Sequence, residues 1–223
     1  MLIVLTNTKG GVGKSTLAAH LVLWLHDRRV RVALLDTDEQ QTAARWVRGA
    51  EPAVEIVVAT DVESIRKAKN ELTQRVDVVV ADSPGSGGEA SHSITMLADL
   101  AIVPLQPSKP DIRAVKDALK FVSLAREMSG GSKPDVRIVL TFTAKGDIQS
   151  RRLRDELAAL DVPVARSEIR RLNAFRDSCD SAVHRMSSRD AVQAAHDIET
   201  LFSELLGEHL SRWKLPNKEV VHG

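Results

Sequence analysis

Residues 9–16 read Lys9-Gly10-Gly11-Val12-Gly13-Lys14-Ser15-Thr16, which packs glycines, two lysines and two hydroxyls into one short stretch. These types suit phosphate. Glycines let successive backbone N–H groups close around phosphate oxygens, Lys14 can reach the β- and γ-phosphates, and the Ser15 hydroxyl can meet Mg²⁺. Thr16 is placed to touch the α-phosphate. The general phosphate-loop pattern, G-x-x-x-x-G-K-[ST], puts its first glycine at position 8, where this chain has Thr8 and then Lys9. A chance glycine–lysine string with Lys9 as a solvated charge is the competing explanation. The flanks weigh against it: Leu2–Leu5 is an apolar run before the loop and Leu17–Leu25 another after it. Strand, glycine loop and helix is the setting in which such a loop holds phosphate, with the positive end of the helix turned toward it.

Two further segments carry carboxylates suited to the same chemistry. Val78-Val79-Val80-Ala81-Asp82 is an apolar strand ending in an acid, which can hold Mg²⁺ opposite the Ser15 hydroxyl. Taken alone, Asp82 could simply open the turn at Ser83-Pro84-Gly85. Asp36-Thr37-Asp38 ends another apolar run with acids at i and i+2, a spacing that points both the same way on extended chain. One of them can then serve the magnesium shell and the other orient a water for in-line attack.

The elements that position these residues follow from the apolar pattern. Short apolar runs at Leu2–Asn7, Val30–Asp36, Val54–Val58, Val76–Asp82, Leu100–Leu105 and Val136–Thr143 alternate with longer helical stretches. Alternation of this kind predicts an α/β fold with a single doubly wound, mostly parallel sheet and helices on both faces. Ile112, Val115, Leu119 and Val122 recur at helical spacing, as do Ala195, Ile198, Phe202, Leu205 and His209. Residues 1–212 are read as one nucleotide-binding domain, and 213–223, with Pro216, as a flexible tail. The loops after strands, including Gly85-Ser86-Gly87-Gly88, lie where open α/β sheets bind ligands.

Composition narrows the classes. The chain has 223 residues, 43% hydrophobic and 27% charged, with a formal net charge of +1, so a nucleic-acid surface must be local. A single cysteine, Cys179, excludes an internal disulfide and is expected to pack as a small apolar residue in a reducing compartment. No apolar run reaches the roughly 20 residues of a membrane span. The opening run Met1–Thr6 is read as a strand and not a secretory signal, which predicts a cytoplasmic protein.

Together, the Lys9–Thr16 loop, Asp36-x-Asp38-x-Gln40 and Val79-Val80-Ala81-Asp82-Ser83-Pro84-Gly85 resemble the ParA/MinD family of deviant Walker-A ATPases, in both order and spacing. The short chain is similar to the small plasmid-type ParA proteins, and Pro104–Asp111 resembles their proline-containing segment after the fifth strand. The resemblance implies ATP and Mg²⁺ as cofactors and Gly10, Gly11, Val12, Gly13, Lys14, Ser15 and Thr16 as the nucleotide loop. It implies that Lys9 reaches across an ATP-bound homodimer to the partner's phosphates, a cation supplied in trans. It assigns Lys14 and Asp38 with Lys9 to catalysis, and Ser15, Asp36 and Asp82 to the metal. The family's usual proline is replaced here by Glu39, and its adenine-contacting region corresponds to Phe142–Ala144.

Branches of the family separate on residues. Iron–sulfur members need paired cysteines, and the related tyrosine kinases need tyrosines, of which this chain has none. MinD-like members end in a basic amphipathic membrane helix, which Pro216 interrupts here, so no membrane partner is expected. DNA-partition members predict a local basic surface. Residues 164–189 hold six arginines against three acids, and Arg166, Arg170, Arg171, Arg176 and Arg189 are the candidate DNA contacts. For any one arginine, a solvated ion pair is the simpler alternative. The expected function is an ATPase that dimerises on ATP, coats nucleoid DNA without sequence preference, and partitions a plasmid or chromosome with a ParB-type partner. Related proteins position protein cargo or act in conjugative transfer, and a MinD-like membrane regulator is the more distant alternative.

Overall fold

The structure, a computed structural model, describes residues 1–85, 87–107, 123, 127, 133–144, 146–158 and 163–213. Its strands are β1 (Leu2–Leu5), β2 (Val32–Asp36), β3 (Glu55–Val58), β4 (Val78–Asp82), β5 (Leu100–Leu105), β6 (Asp135–Thr143) and β7 (Val164–Arg170). They form one sheet in the order β3-β2-β4-β1-β5-β6-β7, and every neighbouring pair is parallel. Helices α1 (Lys14–Asp27), α2 (Thr42–Ala50), α3 (Val62–Arg75), α4 (Glu89–Met96), α5 (Ile148–Ala158), α6 (Ala174–Asp177) and α7 (Arg189–Trp213) connect or follow the strands.

The continuous apolar character of the central strands has a direct cause. In β1, Ile3 and Leu5 join a core with α1, α2 and α7, while Leu2 and Val4 face a second core with α3 and α5. A strand covered on both sides has no polar face to show. Helix α1 is likewise apolar around most of its surface, and Leu17 through Leu25 are all buried.

The sequence predicts six of these strands to within two residues at each end and misses β7. Its residues, Val-Ala-Arg-Ser-Glu-Ile-Arg, carry too little apolar pattern because β7 lies at the sheet edge, beside β6 alone. Side chains close that edge: Glu204 of α7 accepts the N–H groups of Arg166 and Ser167 at 2.7 and 2.8 Å, and Arg154 donates to the Ala165 carbonyl at 2.6 Å. An edge plugged in this way cannot recruit another strand.

In α7 the buried line runs through Ala191, Ala194, Ile198, Leu201, Phe202 and Leu206, so Ala195, Leu205 and His209 sit on its flank rather than its centre. Trp213, expected in the tail, belongs to this helix and stacks on His209 with ring centroids 5.3 Å apart. The stripe Ile112–Val122 lies outside the described residues. Cys179 is exposed and donates to the Arg176 carbonyl, which corrects the expectation of a packed thiol.

Candidate nucleotide site

The parallel sheet brings the glycine loop and both acidic strand ends to one edge. Register pairs Leu5 with Asp82 and Asp82 with Asp36, so the acids lie on adjacent strands next to the strand that feeds the loop. A cleft of about 530 Å³ opens there. Its lining includes Gly10, Gly11, Gly13, Lys14, Ser15 and Thr16 from the loop, and Asp38, Pro84 and Phe142 from neighbouring strand ends.

The loop is held from below by residues that its own motif does not contain. Asn7 donates to the Pro104 carbonyl at 2.7 Å and accepts the Lys9 N–H at 2.9 Å. Gln106 donates to the Gly11 carbonyl at 2.8 Å, and Thr141 to that of Val12 at 2.9 Å. With the Gly11 and Val12 carbonyls and the Lys9 N–H tied back, the loop's other N–H groups are available to the cleft side. Gly11 and Gly13 adopt φ of 74° and 96°, the left-handed region that glycine enters without strain. Gly13 then starts α1, its carbonyl accepting the Leu17 N–H at 2.9 Å. Gly85 packs on the loop so closely that a Cβ would stand 3.3 Å from Lys14 Nζ and 3.4 Å from the Gly10 Cα. Asn7, Gln106, Thr141 and Gly85 all sit at or just past the carboxyl ends of strands, a signal the sequence carries only in general form.

Lys14 is 6% exposed, and its ammonium donates to the Lys9 carbonyl at 3.1 Å. Burial lowers its pKa, and the Asp82 and Asp38 carboxylates oppose that shift. Asp82 is fully buried close to Ser15 and Lys14, and neither of its oxygens has a hydrogen-bond partner of good geometry among the described residues. Burial pushes its carboxyl up to about 7; the Ser15 hydroxyl draws it down, Asp36 raises it, Lys14 lowers it and Asp38 raises it. A buried carboxylate without a donor is costly unless a cation or proton comes to it. Ser15 and Asp82 present only oxygen atoms, the donor type that Mg²⁺ prefers, so these residues fit the ion that accompanies a nucleoside triphosphate.

Asp36, the last residue of β2, and Asp38, just beyond it, diverge. Asp38 lines the cleft and caps its own loop by accepting the Gln40 N–H at 2.9 Å. Asp36, fully buried, accepts the Asp38 N–H at 3.0 Å and the Ala44 N–H at 2.8 Å, and burial raises its pKa. Asp36 thus engages backbone N–H groups through both of its oxygens, where the i, i+2 spacing predicts both acids turned toward the phosphates. The chain leaves the extended form at the end of β2, so the i, i+2 rule stops applying there. Lys9 sits half-buried at the loop's entrance. Phe142, in the region expected for adenine contacts, takes φ 54° and places its ring 3.5 Å from where a Gly13 side chain would begin.

The candidate arginines do not share one environment. Arg166 is 92% exposed beside Glu204. Arg171 and Arg176 are exposed just past β7, and the Arg171 N–H donates to the Thr143 carbonyl at 2.9 Å, which places Arg171 near the nucleotide edge of the sheet. Arg189 is exposed at the start of α7. Arg170 is instead engaged: its guanidinium meets both Asp197 oxygens at 2.6–3.0 Å and the Gln193 carbonyl at 3.2 Å.

Comparison with known proteins agrees with this geometry. The chain is 26% identical over 212 residues to the Maintenance of carboxysome distribution protein A of Halothiobacillus neapolitanus, covering 92% of this chain and 95% of that protein. It is 28% identical over 128 residues to Protein ParA of Rhizobium radiobacter, covering 56% of this chain and 58% of that one. The fold superposes on the Cyanothece McdA–ATP complex with a TM-score of 0.73 at 12% identity, across 92% of this chain and 95% of that structure. No described helix is long and apolar enough to cross a membrane. Residues 3–182 match the CobQ/CobB/MinD/ParA nucleotide binding domain, and the chain belongs to that family.

Proposed function

We propose that this protein is a Mg²⁺-dependent ATPase that dimerises on ATP, associates with DNA and positions a cargo. The observation that carries the proposal is the fully buried Asp82 carboxylate, lacking a hydrogen bond of good geometry among the described residues, close to Ser15 and Lys14 of a glycine-loop cleft that Asp38 also lines. The loop N–H groups and Lys14 bind the phosphates, and Ser15 and Asp82 hold the metal, which when bound neutralises charge on the phosphate oxygens. Asp36 works through the backbone, fixing the Asp38 loop and the start of α2. Asp38 then orients the water that attacks the terminal phosphate. Lys9, at the loop's entrance, crosses to the phosphates of a second copy, so that ATP joins two subunits and hydrolysis separates them.

DNA association rests on the exposed arginines Arg166, Arg171, Arg176 and Arg189, which suit phosphate contacts without base readout. Arg170 supports that surface by fastening β7 to α7. For the cargo, similarity along nearly the whole chain to a carboxysome-distribution protein favours a protein assembly, while the half-length match to ParA keeps plasmid or chromosome partition with a ParB-type partner as the second reading. The test measures mass by light scattering and retention on non-specific DNA with ADP, with ATP, and with ATP at rising salt. ATP should double the mass and support salt-sensitive retention. Equal mass and equal retention in ADP and ATP would remove the proposal.

A further inference from the structure

At the end of α1 remote from the glycine loop, about 20 Å away along its 14 residues, two helix C-termini converge. Helix α1 ends at Asp27 and α2 at Ala50, and both direct the negative ends of their dipoles at the same spot. Two carboxylates, Asp27 and Glu51, stand there, and one cation fills the space between them. Arg185 bonds Asp27 Oδ1 and Glu51 Oε2 through Nη2, Asp27 Oδ2 through Nε at 2.9 Å, and the Ala50 carbonyl through Nη1 at 3.0 Å. His26 Nδ1 faces the same two oxygens at 3.7 Å each, yet it is a buried nitrogen without a hydrogen bond among the described residues. His184 Nε2 braces Asp27 Oδ2 at 2.7 Å from the other side.

We propose that His26, Asp27 and Glu51 form a divalent transition-metal site for Zn²⁺ in which Arg185 is the resident, displaceable cation. One nitrogen and two carboxylates, with ligand atoms all within 4.8 Å of one another, make a suitable donor set. Metal–ligand bonds of about 2.0–2.2 Å at tetrahedral angles separate ligand atoms by roughly 3.3–3.5 Å. The 3.7 Å from His26 Nδ1 to each carboxylate oxygen needs a few tenths of an ångström of closure, and the two carboxylates, within 4.8 Å and bridged by Arg185, draw together when a metal takes its place. His184 holds Asp27 in place, as outer partners hold metal-ligating carboxylates, and a water completes the coordination. The imidazole distinguishes this site from the oxygen-only Mg²⁺ site in the cleft. Loading the site releases Arg185, and with it the tether of the short 3₁₀ turn Val183–Arg185 against α1 and α2.

The test titrates Co²⁺ into the full chain, reads the visible absorption of tetrahedral Co²⁺, and then displaces it with Zn²⁺. Arg185→Ala should bind at least tenfold more tightly than the unmodified chain, because the competing cation is gone. In that background His26→Gln or Glu51→Gln should each weaken binding at least tenfold, and Asp82→Asn should leave it unchanged. Glu51→Gln preserves shape, so it reports on ligation even where another variant folds poorly. Binding that survives His26→Gln, or that disappears with Asp82→Asn, would overturn the site. So would a cluster that takes up a proton but no Co²⁺ in the Arg185→Ala chain.

Discussion

Asp36 and Asp82 stand side by side on β2 and β4, paired in register at the strand ends, yet they differ in their hydrogen bonds. Asp36 accepts two backbone N–H groups, and Asp82 accepts none of good geometry. One acid organises the loop that carries Asp38, and the other lies buried close to Ser15 and Lys14. The difference gives the two carboxylates separate environments, and it yields a titration that can be measured.

With EDTA and no nucleotide, Asp82 should make stability fall as pH rises from about 4 to about 7. Its folded pKa is raised from 3.8 to about 7, so in that window the unfolded chain is ionised while the folded one still holds its proton. Rising pH therefore favours unfolding. Urea midpoints across pH 4–7 should show this slope as the difference between the parent chain and Asp82→Asn. Parallel profiles would mean that Asp82 is not held protonated.

His20 should act with the opposite sign. Its ring is fully buried, with Nδ1 bonded to the Thr16 carbonyl at 2.8 Å and Nε2 accepting the Val183 N–H at 3.3 Å, and burial lowers its pKa from 6.5 to about 4. Below pH 6.5 the unfolded chain gains a proton that the folded chain refuses, so stability is lost as pH falls toward 4. His20→Gln should flatten this component. Because the two windows overlap, each is read only as a difference profile against its own variant.

Lys9→Ala and Lys14→Ala should fail differently. Lys14→Ala should lose nucleotide affinity, since its buried ammonium stands in the floor of the cleft. Lys9→Ala should retain nucleotide but lose ATP-dependent dimerisation, with turnover down on the order of 10³-fold, the scale of a cation supplied in trans. Equilibrium nucleotide titration beside steady-state hydrolysis separates them. Wild-type turnover in Lys9→Ala would remove the trans role.

The arginines should split into structural and surface groups. Asp197 is 7% and Arg170 29% exposed, so Asp197→Ala strands a partly buried guanidinium and should cost about 2 kcal/mol in chemical denaturation, below a fully buried pair. Arg171→Ala and Arg176→Ala should change stability by less than about 0.5 kcal/mol. Each should weaken retention on DNA and reduce the salt slope by about 1. Unchanged salt slopes in both would take these residues out of the DNA surface.

The chain's order of residues determines the apolar strands, the glycine loop and the acids that end β2 and β4, because these depend on local pattern and on motifs of fixed spacing. It singles out Lys14, Ser15 and Asp82 as candidates for phosphate and metal before any contact is known. Tertiary structure alone decides what Asp36 and Arg170 do, since their partners Ala44 and Asp197 come from other elements. It also brings in Asn7, Gln106 and Thr141, polar residues with no motif of their own, as supports of the loop. The edge strand β7 escapes sequence pattern because its polar groups are satisfied by Glu204, Asp197 and Arg154 rather than by a second strand. A sequence records which groups exist along one line; which buried donor meets which acceptor is fixed only when the sheet closes distant segments upon each other.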